Sequence, residues 1–356
     1  MEHDILSSSD DEELLEQIIR RPRKYKNRVN YLECLDDVDF KMRFRLNKDT
    51  VLMVLSLIND DLQFSSNKNH ATPPLIQLLL TLRMYSTGSF LITMGDFSGV
   101  STSNAHYIIH RVSKAIAKLR PLYMKLPVTN ESIQQQQLKF HHIAGFPRVI
   151  GCIDCAHIKI QSIGGDNAEL FRNRKGYFSL NVQAVSNENL QITDIVARWP
   201  GSVHDSTIFS NSRLKVNFES GMYKNGVLLG DSGYANKPYL LTPLLNPQTP
   251  AERLYNESYI KTRNVVERMF GIWKRRFPIL ALGMRYKLEN IMPIIVATAV
   301  LNNIARQQLD LEPDDDPDLN LNWQYLIETG NVEIENNDNN FNNSVRIQLI
   351  NEYFQR

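Results

Sequence analysis

The sequence contains little cysteine, three residues among 356. So few thiols exclude a disulfide-stapled secreted scaffold and indicate a reducing compartment. Cys152 and Cys155 have the spacing C-x-x-C, but they lie in an apolar stretch that predicts one β-strand. Residues three apart on a strand point to opposite faces, so the two sulfurs would not share a zinc ion or a disulfide. We therefore expect two ordinary buried cysteines.

Long apolar runs are also missing. No stretch approaches the roughly 18 apolar residues of a membrane span, so we expect no membrane contact. The first residues, MEHDILSSSDDEELLEQ, are acidic and lack the basic start and apolar centre of a secretory signal, so we expect no export. Neither a GxxxxGK[ST] phosphate loop nor a GxSxG elbow occurs, which removes the signatures of P-loop nucleotide hydrolases and serine hydrolases.

Net charge is nearly absent, at +1, but the two signs are segregated along the chain. Residues 10–16 and 312–318 are acidic, whereas residues 20–28 and 263–276 are basic. Local charge is therefore more informative than the sum. The first basic run is typical of a nuclear-import signal or a phosphate contact, and equally of a solvated flexible arm.

Hydrophobic periodicity divides the chain into segments. A mobile acidic and then basic arm is expected first, because its apolar residues are sparse and show no period. A helical domain, a connecting segment, a strand-rich domain and an acidic, Asn-rich tail follow, and only residues 345–354 of the tail predict an amphipathic turn. The five predicted segments are 1–43, 44–128, 129–147, 148–310 and 311–356.

Within the helical domain, residues 90–97 and 101–119 predict two helices joined by the turn GVSTS, with Ser101 placed to cap the second. This order is typical of a helix-turn-helix. The second helix carries polar groups suited to phosphates and base edges, and we include His110 and Arg111 among the candidate DNA-binding residues. A plain helical hairpin with a polar exposed face has the same pattern, so both interpretations stay open.

From residue 148 the pattern changes to strands. The runs RVIGCIDCAHIKIQ, FSLNVQAVSN and LQITDIVARW predict an antiparallel meander, and a helix, the short strand NGVLLGD and two longer helices follow. This is the element order of an RNase H-like fold. We therefore predict an α/β protein, an RNase H-like mixed sheet with flanking helices, preceded by an all-α helix-turn-helix-like domain.

Two carboxylates fall within or at the end of these apolar strands. An ionised Asp154 inside its strand is costly unless it is paired or binds a metal, and Asp231 raises the same question at the end of VLLGD. The first and fourth strands of an RNase H-like sheet are neighbours, so the two side chains would lie side by side. Their repulsion would raise a pKa unless a cation intervened.

A third carboxylate, Glu267, borders the apolar stripe of the helix RNVVERMFGIWKRRF. Arg263 and Lys274 fall on the same adjoining face, which could supply one metal ligand and two phosphate contacts, and Arg275 extends the basic face. An Arg263–Glu267 ion pair explains the same residues without a site. Asp205 either begins a helix, where the dipole favours it, or serves the metal centre as a further ligand or an outer contact.

Ligands that are all oxygens suit Mg²⁺ or Mn²⁺ rather than zinc. Two such ions about 3.5 to 4 Å apart can activate water or a 3′-hydroxyl for attack at phosphorus, without a covalent nucleophile. The predicted catalytic residues are Asp154, Asp231 and Glu267, and the predicted metal ligands are these three with Asp205.

In these residues the sequence resembles the PIF/Harbinger transposases and the host nucleases derived from them. The resemblance spans roughly residues 148–306 and includes GCIDCAHIKI, NRKGYFSLNVQAV, WPGSVHDSTIF, LLGDSGYANKPYLLTP and RNVVERMFGIWKRRFPIL in the family's order. It implies a DDE nuclease domain whose metal-binding acids match Asp154, Asp205, Asp231 and Glu267. It also implies a separate Myb-like DNA-binding partner and a location in nucleus and cytoplasm.

The chain departs from the family pattern at Ala156, where Thr is common, and at Asn302, where His is common. Neither departure removes a proposed ligand. The sequence thus predicts a metal-dependent DNA endonuclease, which could act as a homo-oligomer. The alternatives are a domesticated DNA-binding or scaffold protein that does not cut, and a metal-dependent phosphatase for small substrates. The helical domain and the basic faces suit a polymeric anion better than a small one.

Overall fold

A computed structural model describes residues 28–64, 71–310 and 344–355. Within these residues the chain forms fourteen helices and five strands. The helices are α1 (Tyr31–Cys34), α2 (Asp37–Phe44), α3 (Lys48–Leu62), α4 (Pro74–Thr87), α5 (Leu91–Ser98), α6 (Thr102–Lys118), α7 (Arg120–Tyr123), α8 (Asn130–Ala144), α9 (Asp205–Ser210), α10 (Arg213–Glu219), α11 (Pro250–Arg276), α12 (Ile279–Leu282), α13 (Leu288–Gln307) and α14 (Ser344–Leu349). The strands are β1 (Val149–Lys159), β2 (Ser179–Ser186), β3 (Ile192–Pro200), β4 (Val227–Leu229) and β5 (Leu240–Leu241).

The strands form one mixed sheet in the order β3-β2-β1-β4-β5. Strands β1, β2 and β3 pair antiparallel, as the sequence predicted for the meander. Strand β4 runs parallel to β1, and β5 runs parallel to β4. The predicted contact between the first and fourth strands is therefore confirmed, and it places the end of β4 beside the middle of β1, where Cys152 pairs with Leu229.

Both faces of the sheet are covered, which explains why all eight residues of β2 are buried. On one face, Cys152 and Val182 belong to a core shared with helices α11 and α13. On the other face, Ile153 and Val185 pack with α9 and α10, for example against Phe209. Alternate residues of each strand thus serve two different helical layers.

Helix α11 is 27 residues long and crosses the sheet beside β1 and β2. It begins with a capping box, in which Thr249 accepts from the N–H of Glu252 and Glu252 accepts from the N–H of Thr249. Its buried stripe contains Val266, Met269 and Trp273, as the sequence spacing predicted. The polar border of this stripe faces the middle of β1, where Arg263 reaches Asp154.

The N-terminal helices share the core of the sheet. Residues of α3, α4 and α6 belong to the same apolar cluster as α11, α13 and the sheet. Two buried polar side chains strengthen this joint. Asn303 of α13 exchanges hydrogen bonds with both backbone groups of Ile192 and donates to the carbonyl of Tyr123. Arg276, fully buried, donates to the carbonyls of Arg45 and Asp310.

The turn between α5 and α6 agrees with the predicted capping. Gly99 ends α5 with a left-handed backbone, φ +68°, and Ser101 accepts from the N–H of Asn104 to begin α6. Helix α6 then packs against α4 and α13. The two helices are present where the sequence placed them.

Three parts of the predicted segmentation need correction or comment. The expected mobile arm is wrong for its last part, because α1 and α2 form there and Phe40 is fully buried. The connecting segment contains helix α8, which packs against β1 through Ile133 and Phe140. The amphipathic turn expected at residues 345–354 is present as α14 and a following π-helical turn. Most of the first basic run and the acidic run at 312–318 lie outside the described residues.

Among the parts of the chain that the structure describes, one helix, α13, has the length and composition to cross a membrane. Of its apolar window, 67% is buried inside the fold. It packs against β3, α6 and α7. Its apolar residues are therefore used by the core.

Candidate metal centre

Asp154 lies on β1, opposite Ala184 of β2 and next to the end of β4. One carboxylate oxygen accepts from the N–H of Cys155 at 2.8 Å. The other accepts from Arg263 of α11 at 3.0 Å, and the side chain is only 15% exposed. The carboxylate is thus fixed in direction by a backbone group and a cation.

Asp231 comes two residues after β4 ends, where the chain turns at Gly233. Its Oδ1 accepts from the N–H of Gly233 at 3.1 Å. Gly230, just before it, has no room for a side chain, because a Cβ there would lie 2.8 Å from the ring of Tyr234 and 3.3 Å from Ile153. This close packing holds the turn against β1, which brings Asp231 beside Asp154.

Asp205 is the first residue of α9, and its carboxylate reaches the same place from the other side of β1. Its Oδ1 accepts from Nδ2 of Asn181 on β2 at 2.8 Å. The same amide also donates to the carbonyl of Val203, so it fixes both the chain before α9 and the carboxylate. Asn181 was not among the predicted site residues. An amide between the apolar residues Leu180 and Val182 of a predicted strand was the signal that could have found it.

The three aspartates form a single cluster. Each of Asp154, Asp205 and Asp231 offers one carboxylate oxygen, and these oxygens all lie within 4.8 Å of one another. Among the residues that the structure describes, this is the one group of three or more acidic, His or Cys side chains close enough to share an ion. Three acids from separate segments meet beside the middle of β1, where β4 ends.

Burial dominates the electrostatics of this cluster. It raises the pKa of Asp154 to about 7, with Arg263 opposing the rise and the charges of Asp231 and Asp205 adding to it. Burial and the charge of Asp205 raise the pKa of Asp231 to about 6. Burial also raises the pKa of Asp205, while Asn181 opposes the rise. Without a cation, the cluster therefore keeps protons near neutral pH.

Glu267 lies at the edge of this cluster and is not one of its three members. Its carboxylate accepts from Arg263 at 2.6 Å, one turn away on α11, and its side chain is 43% exposed. Its charge contributes to the raised pKa of Asp231, so the two groups are near each other. The third member of the cluster is thus Asp205, whereas the sequence interpretation had named Glu267 as the third catalytic carboxylate.

Arg263 and Lys274 do not lie on an open basic face. Arg263 is held between Asp154 and Glu267, with its side chain 18% exposed. Lys274 is buried and lies 3.5 Å from the carbonyl oxygen of His157, and burial lowers its pKa to about 8. The prediction of phosphate contacts by these two side chains is corrected, because α11 turns them toward the sheet. Arg275 is half-buried and has a partner.

The candidate DNA contact by His110 on α6 is corrected in the same way. His110 is buried, with Nε2 lying 3.1 Å from Nε2 of His106, and burial lowers its pKa to about 4. Arg111 donates to the carbonyls of Asp61 and Gln63 at the end of α3. His110 is therefore covered by its neighbours, whereas Arg111 is half-buried and the prediction that it contacts DNA stays untested.

Of the two cysteines that were expected to be buried, Cys152 is buried and Cys155 is half-buried. The Sγ of Cys152 lies 3.5 Å from the carbonyl oxygen of Thr262 on α11, whereas the Sγ of Cys155 lies 3.3 Å from the hydroxyl of Tyr234. The two sulfurs therefore serve opposite faces of the sheet, and both cysteines are free. A shared zinc ion or disulfide is excluded by this geometry.

A mixed sheet that gathers acids from β1, from the chain after β4 and from a helix start is consistent with a DDE nuclease fold, and residues 153–303 match the family model described as DDE superfamily endonuclease. The chain belongs to the Harbinger transposase-derived nucleases of this class. It is 32% identical over 277 residues to "Putative nuclease HARBI1" of Homo sapiens, covering 76% of this chain and 79% of that protein.

More distant relatives extend the same similarity. The Xenopus laevis protein of the same name is 28% identical over 257 residues, or 71% of this chain and 74% of that protein. "Protein ALP1-like" of Arabidopsis thaliana is 24% identical over 307 residues, or 79% of this chain and 74% of that protein. No solved structure matches the chain.

Proposed function

We propose that this chain is a divalent-metal-dependent DNA endonuclease of the Harbinger transposase type, which hydrolyses or transfers phosphodiester bonds. The observation that supports it most is the convergence of Asp154, Asp205 and Asp231, whose oxygens lie within 4.8 Å of one another. Packing alone gives no reason to bury three acids together, since each would be costly without a cation. Family membership supplies the reaction class.

The donor set fits Mg²⁺ or Mn²⁺. All three side chains offer hard oxygen ligands, and each uses one oxygen for a fixed hydrogen bond, from Cys155, Asn181 or Gly233. These bonds orient the carboxylates before any ion binds. A bound divalent cation supplies charge stabilisation at phosphorus and a more acidic water. Asp154, Asp205 and Asp231 would hold it, and Glu267 remains a candidate fourth ligand.

The sheet supports the RNase H-like part of the proposal. Its order, β3-β2-β1-β4-β5, has three antiparallel strands followed by two that run parallel to the first. This is the arrangement that the RNase H-like interpretation requires. The acids stand on β1 and directly after β4, the two neighbouring strands.

DNA recognition by α5 and α6 is a further part of the proposal. The first turn of α6, residues 102–104, carries exposed hydroxyl groups directly after a left-handed turn. Such a turn and helix can present donors to a phosphate or a base edge. By the same family resemblance, we propose a Myb-like DNA-binding partner, a location in nucleus and cytoplasm, and assembly as a homo-oligomer.

One observation favours the alternative of a DNA-binding protein that does not cut. Arg263 neutralises Asp154 and Glu267 together, which lowers the need of both carboxylates for a divalent cation. A chain that had lost cleavage could keep its fold in this way. The two proposals differ in whether the acid cluster binds Mg²⁺ or Mn²⁺ strongly enough to use it.

The deciding experiment incubates purified full-length chain with linear duplex DNA and Mg²⁺ or Mn²⁺, with and without a Myb-like partner. We expect cleavage that stops in excess chelator and in the Asp154→Asn variant, while DNA binding persists. Arg268→Gln, an exposed change on α11, is the matched control and should cut normally. Equal cutting in chelator, or full activity of Asp154→Asn, would overturn the metal mechanism. DNA binding without cleavage under all conditions would favour the non-cutting alternative.

A further inference from the structure

Just before β2, an isolated β-bridge between Arg172 and Phe178 encloses a tight basic turn, Asn173–Gly176, close to the acid cluster. The N–H of Gly176 donates to the carbonyl of Asn173 at 2.9 Å, and Gly176 has the positive φ, +81°, that such a turn needs. The two residues between them, Arg174 and Lys175, are both exposed. The sequence NRKGY therefore presents two cations at the tip of the turn.

The turn is rigid. The side chain of Asn173 is buried, and its Oδ1 accepts from the N–H groups of Lys175 and Tyr177. At the base of the turn, Arg172 donates to Glu169 and to the carbonyl of Gly176. Arg172 therefore holds the turn together, whereas the next arginine, Arg174, points elsewhere. A rigid turn loses little entropy when it binds a ligand.

The turn is connected to the acid cluster through the sheet. Nδ2 of Asn173 donates to Oγ of Ser179, and the same hydroxyl lies 3.1 Å from Nδ1 of His157 on β1. His157 is opposite Asn181 in the ladder, and Asn181 holds Asp205. The turn is therefore linked to the aspartates by two hydrogen bonds through Ser179 and by the pairing of His157 with Asn181 across β1 and β2.

Arg174 itself reaches the start of helix α9. Its Nη2 lies 2.7 Å from Nδ1 of His204, the residue directly before Asp205. Among the residues that the structure describes, no other group takes the remaining N–H groups of Arg174. A guanidinium has five donors in a planar fork, and the fork matches two oxygens of a phosphate. The unused donors face solvent beside the acid cluster.

The local charge is positive on this side of the site. Burial, together with the charges of Lys274, Lys175 and Arg174, lowers the pKa of His157 to about 4. The acid cluster and this cationic side thus adjoin each other. A phosphodiester strand needs such neighbours, because acids alone repel it and cations alone do not hold a metal ion.

We propose that the Asn173–Gly176 turn is a phosphate-binding site, in which Arg174, with Lys175 beside it, holds a backbone phosphate of the DNA strand next to the bond that is cut. This rests on the proposed function, since it names how the same site takes its substrate. Arg174 is the main contact, because its fork has donors left over. His204 holds the guanidinium in place until the phosphate arrives.

The test measures binding of the full-length chain to a labelled DNA duplex across a salt titration. Each phosphate contact contributes a slope of about −0.9 to the plot of log affinity against log salt. We expect Arg174→Gln to weaken binding about three- to tenfold and to reduce the slope by about one. Arg174→Lys should keep the slope and lose part of the affinity, since the charge remains and the fork is lost.

Lys139→Gln is the matched control. It removes one exposed cation that pairs with Glu188, at the end of β2 farthest from the turn, and it should leave the slope unchanged. Urea unfolding of Arg174→Gln should match the wild type, because the side chain is exposed. An unchanged slope and affinity in Arg174→Gln would overturn the phosphate site.

The result for the phosphate site can be distinguished from the result for the proposed nuclease activity. If the wild type binds duplex and Arg174→Gln changes the slope, the phosphate site stands even where no metal produces cleavage, and only the proposed activity fails. If the wild type cuts DNA and Arg174→Gln cuts and binds like the wild type, the activity stands and the phosphate site fails. A wild type that binds no duplex would overturn both.

Discussion

Arg263 of α11 lies 3.0 Å from Asp154 of β1, a residue 109 positions earlier in the chain, and the same guanidinium lies 2.6 Å from Glu267. Arg263 thus pairs with two candidate metal ligands, Asp154 inside the cluster and Glu267 at its edge. Sequence spacing suggested a DNA contact for this arginine. Its geometry makes it a neutralising partner of the acids instead.

Removing this cation should destabilise the metal-free protein. Arg263→Gln leaves Asp154 with its acidic neighbours and without its ion pair, and breaking a largely buried pair costs about 3 kcal/mol. Urea unfolding in chelator measures this loss, and Mn²⁺ should restore more stability to the variant than to the wild type. Arg268→Gln on the exposed side of α11 should change stability little. Equal stability of Arg263→Gln and wild type in chelator would contradict the neutralising role.

Replacement of any one of the three aspartates should have the same effect on cleavage. Asp154→Asn, Asp205→Asn and Asp231→Asn should each abolish metal-dependent cutting, since each removes one charge from a shared site, and DNA binding should remain. Calorimetric titration with Mn²⁺ should show weaker binding in all three. A variant that binds Mn²⁺ and cuts like the wild type would remove its residue from the site.

Glu267→Gln reports separately on the fourth ligand candidate. If Glu267 leaves Arg263 to bind the ion, the variant should lose cleavage as completely as the aspartate variants. If it only pairs with Arg263, cleavage should fall less than tenfold. Rates measured in excess Mn²⁺ distinguish the two results.

The contribution of the acid cluster to the stability of the metal-free protein should fall as pH rises, whereas His110 and His157, whose pKa values are lowered to about 4, contribute the opposite trend. Asp154 and Asp231 have pKa values of about 7 and about 6, above the usual 3.8, so the folded state keeps protons that the unfolded state has released. The contribution of these two groups to stability is therefore fully present below about pH 4, the unfolded pKa, and is lost progressively as pH rises to about 6 to 7. Urea midpoints in chelator at pH 5 and pH 8 measure it.

The same pH series has an internal control. In Asp231→Asn the fall between pH 5 and pH 8 should shrink by on the order of 2 kcal/mol, because one of the two titrating carboxyls is gone. Metal affinity should change in the opposite sense and rise from pH 6 to pH 8, since protons and cations compete for the same oxygens. An Asp231→Asn variant that shows the same change in stability between pH 5 and pH 8 as the wild type in chelator would show that Asp231 is ionised throughout this range.

Arg276 should be among the most sensitive positions outside the site. Its buried guanidinium donates to the carbonyls of Arg45 and Asp310, and the Asp310 carboxylate also pairs with Lys41. Arg276→Met leaves these acceptors without their donor, at a cost of about 3 to 5 kcal/mol in unfolding free energy. Denaturant melts test this, with Arg268→Met expected within about 0.5 kcal/mol of wild type.

Gly201 should tolerate no side chain. A Cβ there would collide with Oγ of Ser179 and lie 2.7 Å from the carbonyl oxygen of Phe171. Gly201→Ala should therefore destabilise the fold by about 1 to 3 kcal/mol and move the strand end that precedes Asp205. Cleavage should fall more than DNA binding. Ser202→Ala, at the exposed next position, is the control and should leave both unchanged.

Sequence reasoning placed Asp154 beside Asp231 because alternation along β1 and the order of the strands settle which ends meet. It failed for His110 and Lys274, because helical spacing shows which side chains share a face but not which element covers that face. Tyr286, from the segment before α13, packs against the ring of His110. No local pattern announces a contact of this kind.

Helix α8 was missed for a related reason. Its sequence, NESIQQQQLKFHHIA, is mostly polar and buries only Ile133 and Phe140, so its apolar period is too sparse to recognise. The sequence left two roles open for Asp205, a helix start or a metal ligand. Asn181, whose hydrogen bond orients its carboxylate, belongs to β2 and is not apparent from the local pattern. Local patterns gave the elements, and the long-range partners needed the fold.

The shared core has a practical meaning for anyone who wishes to express the catalytic half alone. A fragment that begins at Arg148 would strip α6 from α13 and leave Arg276 without the carbonyl of Arg45. It would also free Asn303 from Tyr123. Such a fragment would expose apolar helix faces and aggregate, and the smallest workable unit would have to retain the N-terminal helices from α1 onward.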